Sequence, residues 1–294
     1  MTSESTTSTV TGWINASIIS RMVSWYLKDG LPASKMVRVE GIAPGTATTA
    51  FSRVTKTTAL SSTITEGTGL SNTTFSTANV TAAIAEVGIL RSFTKLAERT
   101  NTLGSEGLLQ AAVEDGVFLC LEKFETDIWA AFANASTSVG TSGAAYTIAN
   151  FAAAISQLAI NKASGPVVAC LTTTQVKNLR AEVASSGAAH FATGSGNDLL
   201  KPIGEDGYCG AFMGVPTYST TLATASGANS IGAHFVDGAK NPAGAATGVA
   251  LGWQPEVSSV IDPAFSGGTK MAVTMAYGMV EVLDGAYVKD VTIT

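Results

Sequence analysis

The sequence predicts a mixed α+β protein in which one long helix serves as a spine for β-rich material. Three observations carry this. The run from Ser105 to Ser136, SEGLLQAAVEDGVFLCLEKFETDIWAAFANAS, has the longest helical periodicity in the chain. The Thr- and Ala-rich segments before it alternate as strands do. After it, a helix–strand–helix order leads into further strands, the pattern of a compact mixed subdomain.

In the spine, Leu109, Val113, Val117, Cys120 or Leu121, Phe124, Ile128 and Phe132 recur every three or four residues and form one apolar stripe. Ser105 is positioned to cap it, with Glu106 in the first turn where the dipole favours negative charge. Asn134, Ser136 and Gly140 mark the exit. At about 1.5 Å per residue the rod is roughly 40 Å long. Its polar side carries Glu114, Asp115, Glu122 and Lys123.

The first twelve residues have the Ser/Thr-rich composition of a tail. In the stretch that follows, Ile14, Ile18, Met22 and Trp25 share a helical face, and Asp29-Gly30 with Pro32 ends the helix. Only Arg21 and Lys28 are basic, too few for an anchor on a membrane surface, so docking on the chain's own core or on a neighbour is expected. Residues 36–85 read as extended. MVRVEGI alternates, and AFSRVTKTTALSSTIT is β-branched with few large apolar side chains. A hairpin of that composition is too polar to stand alone, and it must lie on its own sheet or reach another subunit. Glu66–Gly69 is a turn, and Phe75–Ile89 resumes a strand pattern that leads into the spine.

Beyond the spine, Tyr146–Lys162 is an amphipathic helix with Phe151, Ile155, Leu158 and Ala159 on its apolar face. PVVACL (166–171) is a short buried strand, and 172–183 is a helix capped by one of its leading threonines. A long Gly-rich connection spans 185–211. MGVPTYST, IGAHFVDGA, GVALGW and the closing MAVTMAYGMVEVLDGAYVKDVTIT are strands; the last alternates at Met271, Val273, Met275, Val280 and Val282.

Charged residues make up 13% of the 294, about half the usual share, so much of the surface is neutral Ser, Thr, Ala and Gly. Such a surface suits extensive contact with other copies, because few charges need desolvating. The net charge of −5, without a basic block, argues against phosphate neutralisation as the main task. No basic segment followed by an apolar run opens the chain, and no run is long and apolar enough to span a bilayer, so neither a secretory signal nor a membrane partner is expected. Cys120, Cys170 and Cys209 are odd in number and read as buried thiols of a cytosolic product.

His190 and His234 are the only histidines, with no HExxH, GxSxG or GxxxxGK[ST] string. Gly194–Asn197 (GSGN) reads as a loop, and Glu205-Asp206 as a solvated turn. No catalytic, cofactor-binding or metal-ligating set is assigned, and no cofactor is expected.

The order of pieces resembles the major capsid proteins of tailed bacteriophages, the Hong Kong 97 fold. ITEGTGLSNTTFSTANVTAAIAEVGIL (64–90) resembles the descending E-loop strand of that family, 105–136 its spine helix, and PVVACLTTTQVKNLRAEV (166–183) its A-domain strand and helix. GAFMGVPTYSTTL (210–222) resembles its G-φ-P-V-φ-x-S strand, with Thr217 where an apolar residue is usual, and AYGMVEVLDGAYVKDVTIT (276–294) its terminal P-domain strands. The resemblance implies an N-arm at 1–35, an E-loop at 36–85, a P-domain at 86–145 and 256–294, and an axial A-domain at 146–255. It further implies pentamers and hexamers, an E-loop laid over a neighbour's P-domain, a closed head around double-stranded DNA without tight binding, and assembly in a host cytoplasm. Portal and decoration proteins would be further partners. On this reading Arg53, Lys56, Glu66, Trp13 and Trp25 are the expected subunit-interface residues, and the spine's polar face looks toward the E-loop or the interior.

Two departures narrow the expectation. The E-loop begins near residue 40, which leaves no room for the long cleaved scaffolding segment of some relatives, so a separate scaffold or none is expected. Some relatives crosslink an E-loop lysine to a P-domain asparagine; Lys56 is available, but no asparagine follows Asn241, so an uncrosslinked shell is expected. An encapsulin-type nanocompartment shell is the alternative within the same fold, and a surface-layer or filament subunit the alternative from another class.

Overall fold

A computed structural model describes residues 31–43, 45–55, 76–100, 104–185, 207–222, 225–226, 229–262 and 267–293. The expected N-terminal helix, the far part of the hairpin and the connection at 186–206, with His190, the GSGN loop and Glu205-Asp206, lie outside these residues. So does the Ser105 cap, because the side chains of 101–106 are not among those described.

In chain order the elements are β1 (Arg38–Gly41), β2 (Thr48–Thr55), β3 (Ser76–Ala83), β4 (Ala85–Phe93), α1 (Lys95–Thr100) and α2 (Gly104–Phe132). They continue with β5 (Ser138–Val139), α3 (Ile148–Ile160), β6 (Val167–Thr172), α4 (Thr173–Ser185), β7 (Tyr208–Phe212) and β8 (Val215–Thr220). The last are β9 (Ala225–Ser226), β10 (Asn229–Val236), β11 (Thr247–Asp262), β12 (Gly268–Glu281) and β13 (Tyr287–Ile293). The fold class is α+β, as expected.

The spine is α2, 29 residues long. In its C-terminal half the expected stripe is the buried face: Cys120, Phe124, Ile128 and Phe132 are all enclosed. Trp129 and Glu125 are enclosed with them, so the face is wider than the stripe. In the N-terminal half the buried line shifts to Leu108, Ala111, Ala112 and Gly116, and Leu109, Val113 and Val117 are only half-buried. Gly116 explains the shift, since a Cβ there would sit 2.7 Å from Val273 Cγ2. The helix can approach the sheet this closely only without a side chain at that position.

Two sheets flank the spine. Four strands run in the order β1-β11-β12-β4, with β11, β12 and β4 antiparallel and β1 parallel to β11. Met271, Val273 and Met275 of β12 alternate inward, as the sequence predicts. The second sheet runs β5-β13-β10-β6-β8-β7, with β9 beside β10. Its two faces are separated by strict alternation: Val168 and Cys170 of β6 join the core around the spine, whereas Ala169 and Leu171 join a second core under α3 and α4. Both helices are capped by a threonine, which the sequence predicts for α4. Thr147 Oγ1 accepts from Asn150 N at 3.2 Å, and Thr172 Oγ1 accepts from Gln175 N at 3.2 Å. On α3, Phe151 and Leu158 are buried, but Ala159 is exposed and Ala154 takes its place.

The strand pairing redraws two expectations. The segment MVRVEGI contributes β1 to the four-stranded sheet, so the hairpin proper is β2–β3. The closing segment divides at Asp284: β12 ends in the four-stranded sheet, while β13 crosses to pair with β10 in the other. Sequence alternation alone does not say which sheet a strand joins. Thr217 is fully buried, and its hydroxyl donates to Val215 O at 3.2 Å, which satisfies the polar atom that replaces an apolar side chain. All three cysteines are free and buried.

Phe124 packs edge-on against Tyr277 with ring centroids 4.9 Å apart. Phe124→Asp puts an unpaired charge in that contact and is expected to cost about 3–5 kcal/mol. Urea denaturation of the purified variant measures this, and a loss below about 1 kcal/mol would mean that Phe124 is not held in the core.

Candidate functional site

The described residues hold no group of three metal-ligating side chains. Among the described residues, one polar constellation around Asp290 is fully enclosed. His234 Nδ1 lies 2.6 Å from Asp290 Oδ2, Tyr146 OH donates to Asp290 Oδ1 at 3.0 Å, and Gln175 Nε2 donates to the Asp290 carbonyl at 3.0 Å. The carboxylate needs donors, which puts the imidazole proton on Nδ1. Phe151 stacks edge-on against the His234 ring, centroids 4.5 Å apart. Burial first, and the Asp290 carboxylate second, push the Tyr146 phenol well above its ordinary value. All four side chains are essentially solvent-free, so no substrate reaches them. The network ties β10, β13, the approach to α3 and the start of α4 together, and its role is structural.

The features that face outward are of a different kind. The hairpin β2–β3 pairs only with itself. Its base is clamped by Phe51, fully buried among Ala82, Ala250 and Val282. Gly248 leaves room for that ring, since a Cβ there would be 2.7 Å from it. Arg38 lies over the Phe51 ring, 5.2 Å from the centroid, and donates from Nε to Glu40 Oε1 at 2.8 Å. Past Phe51 the hairpin is largely exposed, including Val54.

The distal part of β11 is the second such feature. β1 covers its outer edge only at Gly248–Leu251, so further along no strand among the described residues pairs there. From Glu256 to Ile261 both faces are exposed, with Val260 and Ile261 at 63% and 72%. An apolar strand open on its edge and both faces invites pairing with another chain.

The third is the place where the described chain begins. Glu125 of the spine is fully buried and accepts from Ala33 N at 2.8 Å, Ser34 N at 2.7 Å and Trp129 Nε1 at 3.2 Å. Those bonds fasten the segment after Pro32 onto the spine. Burial pushes the Glu125 carboxyl above its ordinary value, with the N–H donors pulling the other way.

Of the expected interface residues, Arg53 is described. It is exposed on β2, and its guanidinium reaches back to Val282 O at 3.5 Å. Lys56, Glu66, Trp13 and Trp25 lie outside the described residues. On the spine's polar side, Asp115 pairs with Arg91 of β4, and Lys123 with Asp127. The sequence reading missed Glu125 because its partners are backbone N–H groups, which no residue pattern encodes. The sequence carries little signal for the His234–Asp290 pair: β13 also holds Lys289 and Thr292, and β10 also holds Asn229 and Ser230, so neither partner stands out in its strand.

No family model matches the sequence, and no curated protein matches it. Solved structures do. A chain of Mycobacterium phage Che8 is similar over 93% of this chain and 95% of its own, at 16% identity and a TM-score of 0.68. The capsid structure of cyanophage P-SCSP1u is similar over 95% and 93%, at 14% identity and 0.67. The acid-stable capsid structure of Helicobacter pylori bacteriophage KHP30 is similar over 97% of both chains, at 11% identity and 0.66. The chain has the Hong Kong 97-type fold of phage capsid subunits.

Because the native Glu125 holds its proton to higher pH than the unfolded chain does, its contribution to stability is full below about pH 4.5 and declines as pH rises through the raised value. Glu125→Gln removes this titration and sets an amide NH2 against one backbone donor. Wild type is expected to exceed the variant in unfolding free energy by more at about pH 4.5 than at about pH 8. A gap independent of pH in paired urea titrations would contradict the buried assignment.

Proposed function

We propose that this chain is a structural shell subunit, the major capsid protein of a tailed bacteriophage, which assembles through pentamers and hexamers into an icosahedral head around double-stranded DNA. The observation that carries this is the match over more than nine-tenths of both chains to capsid subunits of several phages. A hairpin that, among the described residues, pairs with no third strand and an open apolar edge on β11 support the same reading, since both suit contact with neighbours. The net charge of −5 suits a container that must hold packed DNA without gripping it.

The domain division we favour follows the strand pairing. The four-stranded sheet and the spine form the P-domain; the seven-stranded sheet with α3 and α4 forms the A-domain and includes β13. The β2–β3 hairpin, together with the residues between its strands, is the E-loop, and residues 1–35 are the N-arm. Arg53, Lys56, Glu66, Trp13 and Trp25 are proposed to contact neighbouring subunits. The role is structural rather than catalytic, its place is the virion, and assembly takes place in the host cytoplasm.

Electron microscopy of the purified protein is expected to show closed shells, with nucleic acid inside particles recovered from infected cells. Protein cargo in place of nucleic acid would point to a nanocompartment, and filaments or flat arrays would exclude a head. Replacing residues 56–72 with a short turn keeps the Phe51 clamp and is expected to leave a soluble subunit that closes no shells; normal particles would remove the E-loop role. Assembled particles should run as single subunits on a denaturing gel, and covalent ladders would overturn the uncrosslinked shell.

A further inference from the structure

An open groove of about 500 Å3 lies between the spine and the edge of the four-stranded sheet. Val117, Leu121 and Phe124 of α2 form one side, and Val39 of β1 with Leu251 of β11 the other. Ser34 stands at its rim, and no lining residue is charged. Val39 is 46% exposed, and Val117, Leu121 and Leu251 are half-buried. An uncharged apolar groove of this size beside an otherwise closed core wants an apolar cover.

The chain itself supplies a candidate at the right place. Thirty residues precede the described segment, and they carry the periodic face Ile14, Ile18, Met22 and Trp25. The described chain starts three residues before Ser34, and Glu125 pins Ala33 and Ser34 to the spine. Glu125 is the next residue after Phe124 and lies one helical turn from Leu121, both in the groove wall. From Trp25 to Ser34 the tether is nine residues, a reach of about 30 Å at most. A tether that short gives a local concentration in the millimolar range, which favours the chain's own segment over one from another copy.

We propose that, in the free subunit, residues 13–27 of this chain fold back onto its own groove and cover it, setting Ile18, Met22 and Trp25 against Val39, Val117 and Leu121, and that Trp25 passes to a neighbour only on assembly. The cover belongs to the free subunit and does not require that shells form. It closes the apolar face that would otherwise expose the subunit to indiscriminate association.

The test uses full-length, unassembled chain carrying Met22→Cys with Leu121→Cys, prepared as an equal mixture of isotopically light and heavy protein and mildly oxidised. The three native cysteines are buried and stay out of the reaction. Disulfide-linked peptides are expected to join chains of one isotope, and to form roughly tenfold more than with Met22→Cys paired to Ile160→Cys, an exposed position on α3. Equal yields at the two positions would overturn the proposal, and so would mixed-isotope links at half the total, which would assign the groove to a neighbour's segment. Should the double variant fail to fold, Val39→Asp on the exposed strand serves instead. It is expected to raise the rate of tryptic cleavage at Arg21 and Lys28 roughly tenfold without changing cleavage elsewhere, because cleavage follows the population of the open form. An unchanged rate would equally overturn it.

Discussion

The aromatic seam along the C-terminal half of the spine is the contact on which the rest of this fold depends. Phe124 meets Tyr277 of the four-stranded sheet at 4.9 Å, and two turns later Phe132 meets Phe235 of the seven-stranded sheet at 4.4 Å. Trp129 stands edge-on between these levels, 5.9 Å from Phe132. One helix therefore holds two sheets, and neither sheet buries its inner face without it. Each fully buried aromatic side chain contributes about 1.5–3 kcal/mol, so three together match much of a typical domain's net stability. Gly116 serves the same seam from the other half of the helix, by letting the backbone come down onto Val273.

The seam explains why the second sheet can carry a polar network on its other face. Residues 233–235 of β10 alternate as Ala, His, Phe: Ala233 and Phe235 belong to the core around the spine, while His234 turns toward α3 and α4. There Asp290 accepts from His234 and Tyr146, and Gln175 fastens the start of α4 to the same strand. A buried charge with its donors in place fixes geometry more than it adds stability. The spine face supplies the apolar burial, and the opposite face sets how the two helices sit.

Much of this architecture was legible in the sequence, for a physical reason. The spine, α3, β6, α4 and the alternating β12 are long or strongly periodic, and periodicity reports directly on which side of an element is buried. The pairing of strands is not periodic information. Nothing in VRVE or in YVKDVTI says that the first joins β11 in parallel or that the second crosses to β10. Glu125 was illegible because it binds main-chain N–H groups, and Trp129 was overlooked because a narrow stripe was drawn where the helix is buried on a broad face. Of the interface residues singled out, Arg53 alone is described, and it leans on its own chain through Val282.

What remains outward divides sharply from what is closed. The two cores around the spine and under α3 and α4 are complete within one chain: their large side chains are buried, and their polar atoms are almost all paired. The hairpin past Phe51 and the distal end of β11 have the opposite character, extended backbone with open edges and exposed valine and isoleucine. The hairpin gains little from its own subunit past Phe51, because a two-stranded ribbon is marginal in water, and the distal end of β11 pairs on one edge only. On the proposed shell reading they are completed by neighbours, and the free energy of that contact belongs to assembly rather than to folding. A chain with only 13% charged residues lowers the desolvation cost of that step. On that reading the chain closes its cores around the spine by itself and leaves its least self-sufficient strands to neighbours.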